Sequence, residues 1–260
     1  MTDVVRYPDP EALGDALAVE IVDGIDAARR DRRRFILGCP GGRSGRSTYL
    51  AMARRLTGAD VSHLVIAMMD DYVAASPNGG WQHVPDSAHY SCRRFATDEI
   101  AAPIDAVVSE GIAAGHIWLP DPADPDAYDD KLADAGGVDL FILASGVSDG
   151  HVAFNKPGTP ADRRTWIVPL ADSTRQDNMA TFPDFASLEE VPTHGVSVGL
   201  GTISGVSKGA RLIIHGQGKR EAARRAVEAD DLELDWPATV VHRCRDARIL
   251  VDEAAWPGGS

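Results

Sequence analysis

The sequence predicts an α/β fold, a mainly parallel sheet with helices on both faces, and three observations predict it. Four short apolar runs are spread along the chain, segments with helical spacing lie between them, and polar, glycine-rich clusters follow the runs directly. Strands that alternate with helices need crossovers, and crossovers make parallel sheets. A single Rossmann-like domain over residues 1–260 is the simplest arrangement. At ~150 residues per domain the length falls between one and two domains, and no internal repeat or low-complexity linker divides the chain.

Taken in order, Pro10 to Ala28 has helical spacing. The basic run at its end (Arg29, Arg30, Arg32, Arg33, Arg34) complements the helix dipole and meets solvent. RFILG at 34–38 reads as a buried strand, followed by a helix over Ser47 to Leu56. HLVIAMM at 63–69 is the second strand, with helices over Tyr90 to Val108 and Pro125 to Ala135 after it. VDLFILA at 138–144 and ARLIIHG at 210–216 are the third and fourth strands, and Arg220 to Ala229 is the last helix. Runs this short and apolar suit strands buried on both faces. Ser76 to Asp86, Pro120 to Pro125 and Pro257 to Ser260 are short enough to be loops or a tail.

Lysine and arginine total 26 against 39 aspartates and glutamates, a net charge of −13. Such a chain repels the phosphates of a nucleic acid and an anionic membrane surface, and neither partner is expected. Cys39, Cys92 and Cys244 form no CxxC pair and are odd in number. They support neither a zinc site nor a disulfide framework, and a reducing compartment fits best. The first residues lack the basic-then-apolar pattern of a secretory leader, and no run of about 18 apolar residues occurs, so a cytoplasmic location is expected. No HExxH or other metal-ligand spacing appears, and no metal is expected.

Pro40 to Gly45, Asp70-Asp71-Tyr72, Ser145 to His151 and Gly216 to Lys219 each follow a predicted strand. In an open α/β sheet, ligands bind beyond the carboxyl ends of the strands, so these four loops are expected to meet at one crevice. Gly41, Gly42, Arg43 and Ser44 form a turn that lets backbone N–H groups and a helix start approach a phosphate; a purely structural turn is the alternative. A Walker A loop is excluded, because three residues rather than four separate Gly41 from Gly45, and Arg46-Ser47 follows. Gly216-Gln217-Gly218-Lys219 repeats the arrangement, with Lys219, one of only four lysines, as a point charge. A solvent-exposed lysine at a helix start is the alternative there. Two such turns on one sheet edge favour a phosphorylated small molecule.

At Asp70-Asp71 one carboxylate must face the crevice, while the other faces solvent or caps a backbone N–H. The first can act as a general base if burial moves its pKa toward neutrality; a pair of turn-forming aspartates is the alternative. Asp149-Gly150-His151 sets a carboxylate two residues from an imidazole across a glycine hinge. That arrangement suits proton transfer to or from a sugar oxygen, with a structural histidine as the alternative.

MDDYV at 69–73, DLFILASGVSDGHVAFNKPGT at 139–159, THGVSVGLGTISG at 193–205 and GQGKREAARRAVE at 216–228 together resemble the glucosamine-6-phosphate deaminases (isomerases). The match in order and spacing covers nearly the whole chain. The sister 6-phosphogluconolactonases share the fold and a glycine-histidine loop, but Ala153-Phe154-Asn155 and the Met-Asp-Asp-Tyr strand end are similar to the deaminase branch. The resemblance implies that Asp70 is the enolisation base, moving a proton between C2 and C1 of the open-chain sugar. It implies that Asp149 and His151 assist ring opening, that Lys219 and the 41–44 loop hold phosphate, and that Leu170 to Pro192 forms a mobile lid. It further implies a sugar phosphate as the small-molecule partner and no cofactor, since side chains and water suffice. A homo-oligomer is left open.

Three residues depart from that family's usual pattern. Lys156 stands where the deaminases carry a glutamate that completes the chain with His151 and Asp149, and a nearby ammonium disfavours imidazolium where a carboxylate would favour it. Ala180 stands where they place a phosphate-binding arginine, and alanine cannot make that bidentate contact. Arg43, where the family usually has glycine, is a candidate to restore the cation. Lysine at 156 could instead recognise an acidic group on a different sugar. TWIVPL at 165–170 lacks the basic residues with which some members bind an amino-sugar effector, so no such activation is expected. Two other functions use the same residues: a lactonase, in which His151 activates water and Asp70 is dispensable, and a non-catalytic sugar-phosphate binding protein.

Overall fold

The computed structural model describes residues 2–258; Met1, Gly259 and Ser260, the last two within the expected tail, lie outside the described residues. Its strands are β1 (Asp3–Tyr7), β2 (Phe35–Cys39), β3 (Leu64–Met68), β4 (Asp70–Ala75), β5 (Trp81–His83), β6 (Ile117–Trp118), β7 (Leu140–Ala144), β8 (Trp166–Pro169), β9 (His194–Ser197), β10 (Ala210–Ile214) and β11 (Ala247–Asp252). Seven of them form a parallel sheet in the order β1-β11-β10-β7-β2-β3-β6. The other four form an antiparallel sheet, β5-β4-β9-β8.

The helices are α1 (Pro10–Arg30), α2 (Arg46–Arg55), α3 (Cys92–Phe95), α4 (Ala102–Asp105), α5 (Asp126–Asp134), α6 (Asp172–Thr181), α7 (Leu200–Val206) and α8 (Arg220–Glu228). Among the described residues no helix is long and apolar enough to cross a membrane. The Asp9 side chain caps α1 by accepting from the Ala12 N–H at 2.7 Å, and Pro10 takes a first-turn position that needs no donor.

Strand periodicity divides the core between two faces. Phe35, Leu37, Leu64, Ile66, Leu140 and Ile142 pack with α1, α2 and the 92–104 segment. Their alternating neighbours Ile36, Val65, Ala67, Phe141 and Leu143 pack with α5, α7 and α8. Because side chains alternate across a strand, a sheet covered on both sides needs continuous apolar runs, and each buried aliphatic side chain contributes roughly 2 kcal/mol.

Two expectations need correction. The helix foreseen over Tyr90 to Val108 is shorter and broken: α3 and α4 flank a π-helical turn, Ala96–Ala101. Pro103 has no N–H for the carbonyl four residues back, and the ladder shifts register just before it, with the Ala102 N–H reaching Thr97 O. The antiparallel sheet was not foreseen at all. Its β4 opens on two aspartates, a residue type depleted in strands, and β5, β8 and β9 are three or four residues long.

The topology positions the site. From β2 the chain proceeds to β3 and β6 in one direction across the sheet, while from β7 it proceeds to β10 and β11 in the other. The loops after neighbouring β2 and β7 therefore diverge, and a crevice opens between them at the strands' carboxyl ends.

Candidate active site

A cavity of about 500 Å³ occupies that crevice, and all four sequence clusters contribute to its wall. Gly41, Gly42, Arg43 and Ser44 come from the turn after β2, Asp70 and Tyr72 from β4, His151 from the loop after β7, and Lys219 from the turn after β10. Helix α6 and its following turn cover it with Asp177, Asn178, Ala180, Thr181 and Phe182, so the segment expected to form the lid overlies the site. Phe182 packs against Tyr72 at 6.2 Å, and Phe185 stacks on Tyr90 at 4.8 Å.

Asp70 and Asp71 separate as strand alternation requires. Asp71 is fully buried away from the cavity, where Oδ1 accepts from the backbone N–H groups of Tyr72 (2.8 Å) and Cys92 (2.9 Å) and Oδ2 lies 3.2 Å from His83 Nδ1. It is the backbone cap rather than a solvent-facing carboxylate. Asp70 faces the cavity and is 6% exposed. Burial, reinforced by the neighbouring Asp71 charge and opposed by the Cys92 thiol and His151, pushes its carboxyl up to about 7.

Behind the cavity wall, Asp149 Oδ1 accepts from the His151 backbone N–H at 3.1 Å and lies 2.7 Å from His151 Nδ1. The Ser173 hydroxyl donates to Asp149 Oδ2 at 2.7 Å, tying α6 to this pair. Burial works to raise the Asp149 pKa, but the hydrogen bonds and charge of His151, with the Ser173 hydroxyl, hold it well below the usual carboxylate range. An ionised carboxylate only accepts, so the network assigns a proton to Nδ1 and leaves Nε2 available. Glycine is required at 146, because a Cβ there would lie 2.2 Å from His151 Nδ1 and 2.7 Å from Asp149 Oδ1. Gly150, at φ +64°, makes the hinge against the Trp236 ring.

Lys219 donates to Ser145 O at 2.8 Å and Ser44 Oγ at 3.2 Å. Burial brings its pKa down to about 8; the Asp177 carboxylate opposes the shift and Arg43 adds to it. Arg43 is exposed on the cavity wall. Ala180 also lines the cavity and contributes no charge. Lys156 is only partly buried and is not among the residues lining the cavity.

Sequence reasoning missed Cys92, whose thiol lies 3.4 Å from Asp70 Oδ1, and Ser173 and Asp177 on α6. Ser91, whose hydroxyl caps α3 by accepting from the Arg94 N–H at 3.2 Å, marks the helix start that carries Cys92. Nothing local marks the other two. Asp149, His151 and Asp177 each place one donor atom within 4.8 Å of the others, the one such group of metal-binding side chains among the described residues. Within that group His151 Nδ1 and Asp149 Oδ1 are engaged with each other at 2.7 Å, a pairing suited to moving protons.

A family model for glucosamine-6-phosphate isomerases/6-phosphogluconolactonase matches residues 8–251. The glucosamine-6-phosphate deaminase of Arthrobacter sp. (strain FB24) is 35% identical to this chain over 261 residues, covering 97% of this chain and 91% of that protein. The glucosamine-6-phosphate deaminase of Mycolicibacterium smegmatis is 34% identical over 257 residues, with the same two shares. Among solved structures, a monomeric glucosamine-6-phosphate deaminase has a TM-score of 0.80 at 26% identity, covering 97% of this chain and 98% of its own. A 6-phosphogluconolactonase from Shewanella baltica OS155 shares the fold, with a TM-score of 0.68 at 17% identity over 97% of each chain. By the extent of the family match and of these alignments, the chain belongs to the glucosamine-6-phosphate isomerase/6-phosphogluconolactonase family.

Proposed function

We propose that this chain is a sugar-phosphate isomerase/deaminase that converts glucosamine 6-phosphate to fructose 6-phosphate and ammonia. The observation that carries the reading is Asp70: a buried carboxylate poised near pH 7 on the same cavity wall as His151 and Lys219. A general base works best when its pKa lies near the working pH.

In this reading Lys219, Arg43, Ser44 and the backbone of the 41–44 turn hold the phosphate. Ala180 leaves that grip without a cation from α6. His151, with Nδ1 held by Asp149, takes the C1 hydroxyl proton on Nε2 and delivers it to the ring oxygen, which opens the ring. Asp70 takes the proton from C2 and returns it to C1, while the nitrogen gives up a proton to the C1 oxygen, so the C1 aldehyde becomes a hydroxyl and the amine-bearing carbon becomes a C2 imine. Water adds to the imine, ammonia leaves, and the C2 ketone remains. Side chains and water balance every step. The position of Lys156 off the cavity wall favours glucosamine 6-phosphate over an acidic sugar as substrate.

The test is a proton NMR time course of glucosamine 6-phosphate in D₂O, following exchange at C2 and appearance of fructose 6-phosphate. Both are expected with the wild type and neither with Asp70→Asn. Absence of exchange and product in the wild type would refute the reading. Hydrolysis of a phosphosugar lactone that survives in Asp70→Asn would replace it with a lactonase, and binding without turnover would replace it with a sugar-phosphate binding protein.

A further inference from the structure

The Asp70 carboxylate has a thiol for a neighbour. Cys92, the first residue of α3, places Sγ 3.4 Å from Asp70 Oδ1, while its backbone N–H donates to Asp71 Oδ1 at 2.9 Å. One residue therefore contacts both members of the aspartate pair. Cys92 is 3% exposed and lines the cavity beside Asp70. Burial, together with the charges of Asp70 and Asp71, pushes the thiol well above its ordinary range, so it stays protonated and acts towards Asp70 as a donor.

The other titratable groups around Asp70 do not replace that donor. Asp71, from the same strand, adds a like charge, and His151 contributes an attraction from across the cavity. Tyr72 of β4, Tyr49 of α2 and Tyr128 of α5 are all raised by burial and remain neutral. Tyr49 donates to Pro40 O at 3.0 Å and Tyr128 to Met68 O at 2.9 Å, so both hydroxyl protons are directed elsewhere.

We infer that Cys92 is a positioning residue, whose thiol holds Oδ1 of Asp70 and supports the ionised carboxylate, leaving Oδ2 as the oxygen that exchanges a proton with the substrate. A donor to a carboxylate favours its charged form, which opposes burial and the Asp71 charge. The kinetic consequence rests on the reading of Asp70 as proton carrier; the titration of Asp70 does not.

The experiment is a ¹³C-carboxyl NMR titration of Asp70 in wild type, Cys92→Ala and Cys92→Ser, with kcat/KM measured against pH on the same samples. Loss of one weak donor in Cys92→Ala should raise the Asp70 midpoint by roughly half to one pH unit. The acid limb of kcat/KM should move with it, a loss of about three- to tenfold below the midpoint that disappears at alkaline pH. Cys92→Ser, which keeps a donor, should return the midpoint to the wild-type value or below. Should Cys92→Ala fail to fold, Cys92→Val supplies the donor-free comparison. Donor-free and serine variants that titrate together at the wild-type midpoint would overturn the inference. A shifted midpoint in a protein without turnover would support the inference and refute the proposed function, whereas an unshifted midpoint with full turnover would do the reverse.

Discussion

Replacing Asp70 with asparagine should stabilise the protein, increasingly so as the pH rises. An ordinary aspartate titrates at 3.8, and burial moves Asp70 to about 7. Below the lower value both the folded and unfolded chains carry the proton, and the group costs nothing. Between the two values the folded chain keeps a proton that the unfolded chain has lost, so the contribution of this group to stability falls as pH rises. Above about 7 both are ionised, and the folded state bears the full cost of a charge enclosed beside Asp71. A displacement of about three pH units corresponds to about 4 kcal/mol at most, at 1.36 kcal/mol per unit. Asparagine is neutral at every pH, has nearly the same shape, and keeps an oxygen to accept from Cys92. Urea unfolding followed by circular dichroism at about pH 5 and about pH 8 measures the difference. Asp70→Asn should exceed wild type by about 2 to 4 kcal/mol at the higher pH, roughly 2 °C in Tm per kcal/mol for a chain of this length, and by less at the lower. A stability difference that does not change with pH, or that favours wild type at alkaline pH, would refute the assignment of Asp70 as a buried, raised carboxyl.

The remaining predictions follow from the proposed function and concern turnover and the titration of the groups behind it. The kcat/KM profile for glucosamine 6-phosphate should be a narrow bell, rising as Asp70 ionises near 7 and falling as Lys219 loses its proton near 8; a flat profile across that range would contradict both assignments. Lys219→Met should raise KM for the phosphorylated substrate by about 10- to 100-fold, the loss of one charge-assisted contact, and should affect an unphosphorylated amino sugar far less; equal losses on the two would remove Lys219 from the phosphate site. Gly146→Ala inserts a carbon 2.2 Å from His151 Nδ1 and should lower kcat by about 100-fold or more while circular dichroism stays native; wild-type kcat would show that the Asp149–His151 geometry is not needed. Ser173→Ala removes the 2.7 Å hydrogen bond to Asp149 and should raise the Asp149 titration midpoint in a ¹³C-carboxyl NMR experiment; an unchanged midpoint would separate α6 from the pair.

The four strong strands were legible because burial on both faces leaves a continuous apolar run, as in Leu64–Met68 and Ala210–Ile214, and no other element produces one so short between turn residues. The site was legible as four loops because a parallel sheet brings the carboxyl ends of its strands to one edge, whatever lies between them in sequence. The antiparallel sheet was not legible: β4 begins with Asp70-Asp71, and its strand conformation comes from pairing with β9 rather than from local preference. The division of labour between those two aspartates also lay beyond the sequence. Alternation says only that they point apart, while Cys92, arriving from a helix some twenty residues later, decides which one caps the backbone and which faces the cavity.

What the sequence determined by itself was what repeats locally: apolar periodicity, glycine where backbone must come close, and charged residues at strand ends. Only the tertiary structure decided the electrostatics. Asp70 is raised because α2, α3, β4 and the loop after β7 enclose it together, and Lys156 and Ala180 differ in consequence because one lies off the cavity wall and the other on it. Desolvation is the sum of every atom around a group, and that sum has no counterpart in the order of residues along a chain.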